Sequence, residues 1–173
     1  AAQIGFFIAD VTVTGTSAYF SHPELGVDAL KAAHSILTSV WEHGETLRGR
    51  DPHPLTGLSG LLVTGIEAGG LIAVPGTSKF SVIGSLQSGE DFHERTQAFE
   101  TAVHSATVAS GIIVKISYPA GRDQPRGGSA CEVDPSLAPI QQLQAAIKQY
   151  DPERGEIGGA PYWSENPYLI ERL

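Results

Sequence analysis

The sequence predicts an α+β fold of the ferredoxin-like type: a four-stranded antiparallel sheet with two helices on one face, followed by a C-terminal helical and loop segment. Three observations support this prediction. Short segments alternate apolar and polar residues with the two-residue period of a strand. Two longer segments repeat apolar residues every three or four positions, as amphipathic helices do. The segments follow one another as strand, helix, strand, strand, helix, strand (βαββαβ), so the second face of the sheet must be polar or covered by something else.

The first strand and the first helix are predicted over residues 3–14 and residues 23–43. The helix would begin at Pro23, and Gly44 would end it, since glycine commonly terminates helices. The apolar face of the strand would hold Phe7, Ala9, Val11 and Val13. The buried face of the helix would hold Val27, Leu30, His34, Leu37 and Trp41.

The second half of the fold repeats this pattern. Strands are predicted over residues 57–67 and 79–86, a helix over residues 91–110 ended by Gly111, and a last strand over residues 112–118. One face of the third strand would hold Phe80, Val82, Gly84 and Leu86. The buried stripe of the second helix would hold Phe92, Thr96, Phe99, Val103 and Ala106.

The chain is predicted to have three parts: a domain over residues 1–118, a linker rich in Gly, Pro and Arg over residues 119–133, and a segment over residues 134–173. A third helix is predicted at residues 134–150, with one side formed by Ile140, Leu143, Ile147 and Tyr150. The sequence contains no Met and begins at Ala1, so we expect a piece of a longer protein. Segment 134–173 would then lack packing partners, and we expect partial disorder or non-native packing there.

The charge and the cysteine content exclude several classes of partner. The net charge is −8, from 11 basic and 19 acidic residues, which disfavours nucleic acid as a partner because phosphate binding needs clustered Lys and Arg. No apolar run is long enough to cross a membrane. The single cysteine, Cys131, excludes an intrachain disulfide and favours a reducing, cytoplasmic location. We interpret its thiol as inert.

Five short motifs occur in order along the predicted elements. They are Val13-Thr14-Gly15; Ser21-His22-Pro23-Glu24-Leu25-Gly26 with Val27-Asp28-Ala29; Ile66-Glu67-Ala68-Gly69-Gly70 with Val74-Pro75; Ser88-Gly89-Glu90-Asp91; and Gly158-Gly159-Ala160-Pro161-Tyr162-Trp163-Ser164-Glu165-Asn166. This series resembles the dimerisation (lid) domain of the M20 metallopeptidase and deacylase family, which includes acetylornithine deacetylase and succinyl-diaminopimelate desuccinylase. The last motif resembles the loop after the chain returns to the catalytic domain.

The resemblance implies that the chain is an insert in a longer enzyme. The parent would be a zinc-dependent (or cobalt-dependent) amidohydrolase of N-acyl amino acids or small peptides, with a metal-bound water as nucleophile and a carboxylate as general base. Its His-x-Asp, Glu-Glu and final His metal ligands would lie outside this chain, so we expect no metal ligand and no catalytic residue here. The implied partners are a second copy, paired through the lid domain, and the rest of the catalytic domain.

Three positions depart from the family pattern. Tyr19 stands where the lid usually supplies a His to the partner subunit's active site; a Tyr hydroxyl can donate to an oxyanion but cannot replace an imidazole near neutral pH. Ile72 stands where an Asn is usual. Ser85 stands where an Arg usually binds a substrate carboxylate through two parallel hydrogen bonds, and Ser cannot form such a bidentate pair. An unusual substrate, other contacting residues and lost activity all remain open as explanations.

The substrate-proximal candidates are Tyr19, His22, Ser85 and Glu165. Glu165 is either a carboxylate near the substrate or an ordinary loop residue. His22, Glu24 and Asp28 suggest a metal cluster, but we favour a helix N-terminus with acidic residues near its dipole.

The other His and Arg residues are given structural interpretations. We interpret His34 as a core or interface residue. The remaining histidines are predicted to lie on the surface: His43, His53, His93 and His104. Two loops carry arginines that could hold an anion if the loops meet, although we favour surface positions: Arg48, Arg50, Arg122 and Arg126.

A stand-alone ferredoxin-like binding or regulatory module is the alternative function. The altered positions Tyr19, Ile72 and Ser85 favour it. The tail motif argues against it, because a free module has no need of a catalytic-domain loop.

Overall fold

The computed structural model describes residues 1–170. Its helices are α1 (Ala29–Arg48), α2 (Phe92–Ser105), α3 (Ala138–Tyr150) and α4 (Asn166–Ile170), with a 3-10 turn at Pro23–Leu25. Its strands are β1 (Ala2–Gln3), β2 (Gly5–Thr14), β3 (Ala18–Tyr19), β4 (Gly60–Ala68), β5 (Ala73–Val74), β6 (Thr77–Leu86), β7 (Ile113–Ser117), β8 (Gly127–Gly128), β9 (Cys131–Glu132) and β10 (Gly159–Ala160). In this part of the chain, no helix is both long and apolar enough to cross a membrane.

The main sheet confirms the predicted ferredoxin-like fold. Its strands lie in the order β4-β6-β2-β7, and each neighbouring pair is antiparallel. The short strand β8 also pairs with β2, at Phe6 and Phe7. Strands β2 and β6 pair along their whole length, from Gly5 opposite Leu86 to Thr14 opposite Thr77. Helices α1 and α2 pack together, and α1 lies against β2, β4 and β6.

The core lies between the sheet and the two helices. The predicted faces of β2 and β6 are buried, from Phe7 to Val13 and from Phe80 to Leu86, because alternate side chains of a strand point to the same face. The predicted stripe of α2 is also confirmed, with Phe99 at its centre. The opposite face of the sheet is polar around Asp10, whose carboxylate accepts a 2.7 Å hydrogen bond from the Ser81 hydroxyl.

Helix α1 begins and ends later than predicted. The 3-10 turn is followed by extended backbone at Gly26, and Asp28 caps α1 by accepting hydrogen bonds from the Leu30 and Lys31 amides. Gly44 does not end the helix; it is buried inside it, where a Cβ would lie 3.7 Å from Cβ of Leu61 on β4. A Cβ at that distance makes an ordinary contact, so the space beside the sheet would also admit alanine.

The buried face of α1 also differs from the prediction. The face against the sheet is built mainly of small and medium side chains: Ala29, Ala32, Ala33, Ile36, Leu37, Val40, Gly44 and Leu47. The predicted stripe is rotated by about one residue, or roughly 100°. Of that stripe only Leu37 is in the core, whereas Leu30, His34 and Trp41 are exposed. The core interpretation of His34 is therefore wrong.

Helix α2 is shorter than predicted. It ends at Ser105, and Ala106 already has extended backbone. Gly111 serves a later turn with a φ of 88°, in the left-handed region that favours glycine. Strand β4 starts at Gly60, because residues 53–57 form a closed turn in which the His53 and Gly57 backbones bond to each other.

Residues 119–133, predicted as a linker, pack against the main domain. The Arg126 guanidinium pairs with the Glu100 carboxylate at 2.9 Å, donates to the Thr96 hydroxyl at 3.2 Å, and lies over the Tyr118 ring at 4.9 Å. Strand β8 adds the backbone pairing to β2. The division into domains stays a prediction, although these contacts hold residues 126–128 against the main sheet and α2.

Residues 159–170 dock onto the N-terminus, which contradicts the expected loose packing there. Strand β1 pairs with both β9 and β10 in a three-stranded sheet. The Ser164 hydroxyl donates to the Gln3 side chain at 2.6 Å, and the Trp163 indole donates to the Ser129 carbonyl at 3.1 Å. Helix α3 behaves differently, since none of its residues is buried. Residues 171–173 of the predicted segment lie outside the described residues.

Candidate functional site

The outer flank of α1 and the free edge of β4 form an exposed apolar surface, which we call the α1–β4 surface. It consists of Leu30, Trp41 and Ile66 on the helix side of the sheet, together with Leu62, which pairs with Ile83 and therefore points to the other side of the same edge strand. Trp41 and Leu62 are 51% and 61% exposed, and the groove between the helix and the strand runs along Trp41 and residues 61–63 of β4. Large apolar side chains exposed to water in a group typically mark an interaction surface.

Strand β4 is the edge of the main sheet that is more open to pairing. Among residues 1–170 it has a hydrogen-bonded neighbour on one side only, which is β6. Its nine residues include a single charge, Glu67, and no Pro or Lys. The opposite edge strand, β7, has five residues and carries Lys115. Natural edge strands are usually short or charged because these features block pairing with another chain.

Strands β3 and β5 form a two-stranded ribbon at the end of the sheet where β2 stops and β6 starts. The Phe20 amide extends the ribbon by donating to the Ile72 carbonyl at 3.1 Å. The ribbon and the adjacent 3-10 turn carry five apolar side chains, each more than half exposed, which we call the ribbon tip: Tyr19, Phe20, Leu25, Leu71 and Ile72. The Tyr19 and Phe20 rings are 4.7 Å apart.

The predicted candidates Tyr19 and His22 lie together at this ribbon. His22 is exposed, and its Nδ1 lies 3.2 Å from a Glu24 carboxylate oxygen. Glu24 belongs to the 3-10 turn and Asp28 caps α1, so these carboxylates lie on two separate elements. In residues 1–170, no group of three or more His, Cys, Asp and Glu side chains could hold a metal ion.

Ser85 lies elsewhere, on β6, and has a structural role. Its hydroxyl accepts a 3.0 Å hydrogen bond from the Gly60 amide at the start of β4. Next to it, the buried Arg95 guanidinium lies 3.4 Å from the Glu90 carboxylate. Glu90 also accepts hydrogen bonds from the Ser59 hydroxyl and the Gln87 amide. This network joins the start of α2 to the start of β4.

Glu165 is exposed in the docked tail, at the end of the sheet opposite the ribbon. The residues on either side of it, Ser164 and Asn166, both bond to the Gln3 side chain. Strand β2 separates Gln3 from the ribbon, and ten strand residues span roughly 30 Å. Within one chain, the structure therefore brings Tyr19 and His22 together but keeps Ser85 and Glu165 apart from them.

The other predicted positions give mixed outcomes. His93 and His104 are exposed, as predicted. His53 is not: its Nε2 lies 3.2 Å from the Glu132 carboxylate, and its Nδ1 accepts from two backbone amides. Three of the arginines pair with carboxylates, Arg48 with Glu45, Arg50 with Glu90 and Arg126 with Glu100. Burial raises the pKa of the Cys131 thiol, and Asp123 raises it further, so the thiol is a poor nucleophile.

His43 is half-buried rather than on the surface. Burial lowers its pKa below the usual value, and the positive charges of Arg95 and Arg50 lower it further. Its Nε2 is buried and has no hydrogen-bond partner among the described residues. The folded chain therefore favours the neutral imidazole.

Acidification should destabilise the chain partly through His43. Because its folded pKa lies below its unfolded pKa, the unfolded state binds the proton first, and stability is lost as pH falls through the unfolded value near 6.5. We expect the free energy of unfolding to fall less steeply between about pH 7 and about pH 5 in His43→Gln than in the wild type. Urea titrations at several pH values measure this slope. The exposed His93→Gln variant should keep the wild-type slope, and an equal change in both variants would contradict the assignment.

Comparisons with known proteins match this chain through its structure. No family model and no curated protein sequence matches it. A tripeptidase from Staphylococcus aureus superposes with a TM-score of 0.68 and 11% identity, over 99% of this chain and 42% of that one. Aminopeptidase PepT from Bacillus cereus gives 0.67 and 10%, over 98% and 42%. An aminobenzoyl-glutamate utilization protein from Klebsiella pneumoniae gives 0.57 and 21%, over 98% and 42%.

The chain has the fold of one part of these proteins. The resemblance to M20 peptidases and amidohydrolases is thereby confirmed at the level of the fold. The chain spans less than half the length of the three solved structures, and the superposition includes residues 134–170 as well as the main sheet.

Proposed function

We propose that this chain is the dimerisation (lid) domain, with a short return segment, of a metal-dependent M20-type amidohydrolase acting on N-acyl amino acids or small peptides. The observation that carries the proposal is the superposition of nearly the whole chain on 42% of a tripeptidase and of an aminopeptidase. The exposed α1–β4 surface suits a domain whose role is contact with another protein chain.

Pairing of two copies through the α1–β4 surface is the proposed role. Two β4 strands related by a two-fold axis would hydrogen-bond in antiparallel register and join two sheets into one. Trp41 and Leu62, which line the groove beside that edge, would be covered by the second copy. The pairing would remove the open edge and the exposed apolar surface together.

This pairing has a consequence for the ribbon tip. In an antiparallel pair, the Ala68 end of one β4 lies beside the Gly60 end of the other. Ala68 leads within a few residues to the ribbon, whereas Gly60 is opposite Ser85 at the end of the sheet that carries β1. Each ribbon tip would therefore project toward the partner's β1–β9–β10 sheet and its tail. The pairing would bring the ribbon of one chain toward the tail of the other, although the ribbon and the tail of one chain lie roughly 30 Å apart.

The metal of such an enzyme would be held outside this chain. Zinc needs three or four His, Cys or carboxylate ligands, and residues 1–170 contain no group that fits. The exposed pair His22 and Glu24 is too small a ligand set. In this proposal the chain contributes pairing and the placement of the ribbon.

The sequence of the coding region on both sides of the chain, followed by an assay of the complete product, tests this proposal. A His-x-Asp and a Glu-Glu pair upstream and a late His downstream are expected, with hydrolysis of N-acyl amino acids in the presence of zinc or cobalt. A start codon directly before the codon of Ala1 and a stop codon directly after the codon of Leu173 would overturn it. That result would favour the stand-alone binding module, which the unusual residues Tyr19 and Ile72 support.

A further inference from the structure

Two arginines share one carboxylate where the end of α1, the start of β4 and the start of α2 meet. The Arg50 Nη1 and Arg95 Nε atoms lie 3.3 Å and 3.4 Å from the same oxygen of Glu90, Oε1. The other oxygen of Glu90, Oε2, accepts hydrogen bonds from the Ser59 hydroxyl and the Gln87 amide. The carboxylate therefore has four partners, and the two guanidiniums carry one positive charge more than it neutralises.

Arg95 has buried donors without an acceptor. The residue is 4% exposed, and neither its Nη1 nor its Nε makes a hydrogen bond with residues 1–170, although Nε keeps the ion-pair contact with Glu90. Its Nη2 is 3.5 Å from the Ser85 carbonyl oxygen, which is long for a hydrogen bond. Leaving a buried charged donor without an acceptor is costly, so an acceptor that enters from solvent would stabilise the site.

His43 adds a third basic group from the neighbouring helix. It lies on α1, and its buried Nε2 has no hydrogen-bond partner among the described residues. The charges of Arg95 and Arg50 both lower the pKa of His43, after burial, so the three groups are close neighbours. Beside His43, a groove of about 500 Å³ opens to solvent between α1 and α2, and it is also lined by Gln97 and the exposed carboxylate of Glu94.

We infer that His43, Arg50 and Arg95 form a binding site for a free tetrahedral oxyanion of the sulfate or phosphate type. The three donors come from α1, from the loop after it and from α2, so an ion with oxygens in several directions can accept from all of them. A planar carboxylate has two oxygens in one plane and reaches fewer. The Arg50 side chain is 56% exposed and forms the entrance.

The inference goes beyond the proposed function and depends on neither pairing nor hydrolysis. The sequence marked Arg50 as a possible anion contact, with arginines of a second loop, Arg122 and Arg126, as its partners. The structure instead places Arg126 on Glu100 and brings Arg50 to a buried arginine of α2.

Calorimetric titration of the 173-residue chain with sodium sulfate, at an ionic strength held constant with sodium chloride, tests the site. The wild type should bind one sulfate. Arg50→Gln should weaken this binding about tenfold or more, because a charge-assisted hydrogen bond is lost. The matched control is Arg48→Gln, which should bind sulfate like the wild type, since the Arg48 side chain is 59% exposed and pairs with Glu45 instead.

Nuclear magnetic resonance of the imidazoles gives a second measurement. A bound dianion favours the imidazolium, so sulfate should raise the pKa of His43, while the resonances of His104, exposed at the other end of α2, should not move. Sulfate stays doubly charged near neutral pH, so its affinity should rise as pH falls from about 7.5 to about 6 through the protein alone. His43→Gln should remove that rise.

Three results would overturn the site. Absence of sulfate binding, or sulfate binding that leaves the His43 resonances unmoved, would show that the ion does not reach these donors. Equal losses of affinity in Arg50→Gln and Arg48→Gln would show binding by general surface charge. Acetate or phosphoserine binding as tightly as sulfate would replace a free tetrahedral ion by a carboxylate or by a phosphorylated partner.

Discussion

Replacing Leu62 by Asp is expected to convert a dimer of the 173-residue chain into a monomer at tens of micromolar. Leu62 lies on the free edge of β4 and lines the groove beside Trp41. In a two-fold dimer each substitution acts twice, so two carboxylates would be buried without partners. We expect the dissociation constant to rise by at least about 100-fold, which corresponds to about 2.7 kcal/mol. Sedimentation velocity across a concentration series measures this change.

The matched control for this experiment is Leu143→Asp. Leu143 on α3 is 60% exposed, nearly the same as Leu62 at 61%, but it lies outside the α1–β4 surface. The control should dimerise like the wild type. A wild-type chain that stays monomeric, or a control that dissociates as readily as Leu62→Asp, would contradict pairing through β4.

Replacing Gly84 by Ala is expected to lower the free energy of unfolding by about 3 kcal/mol. Gly84 lies in the middle of the sheet, directly opposite Phe7 on β2. A Cβ at this position would lie 2.2 Å from the Phe7 ring. The ring has little room to move, because it is fully buried and packs on Phe99 with ring centroids 5.4 Å apart. Urea unfolding followed by circular dichroism measures the loss.

Gly60→Ala is the control for this substitution. Gly60 is also a strand glycine, but its nearest neighbour to an added Cβ is the Ser85 hydroxyl oxygen at 4.0 Å, an ordinary contact. The free energy of unfolding of Gly60→Ala should differ from the wild-type value by less than about 0.5 kcal/mol. All variants are compared at one protein concentration, since dimer formation would add to apparent stability. Equal losses in both variants would show that the clash with the Phe7 ring does not account for the lost stability.

The main sheet could be predicted because its signal is local. Every second residue of β2 and β6 is apolar, and a period of two has one structural interpretation. The stripe of α2 was equally clear, with Phe99 at its centre. The ends of the helices were less predictable. Gly44 has the residue type of a helix end, but α1 continues through it to Arg48 and buries it against the sheet.

The face of α1 shows why size misled the prediction. Trp41, the largest residue of the helix, and Leu30 belong to a stripe that looks like a core face, whereas the eight buried residues of the real core face include three alanines and a glycine. A helix that lies close to a sheet selects small side chains, and this distance is not encoded in periodicity. The exposed stripe then becomes a candidate for pairing.

The order of elements and the alternation along the strands follow from the residues in sequence, because each depends on neighbours within a few positions. Three features depend on residues far apart in the chain: the exposed edge of β4, the apolar ribbon tip at one end of the sheet, and the docking of Trp163 and Ser164 onto the N-terminus at the other end. Periodicity can show that a side chain is apolar, but whether that side chain is buried, exposed or shared with another subunit is set by packing between distant segments.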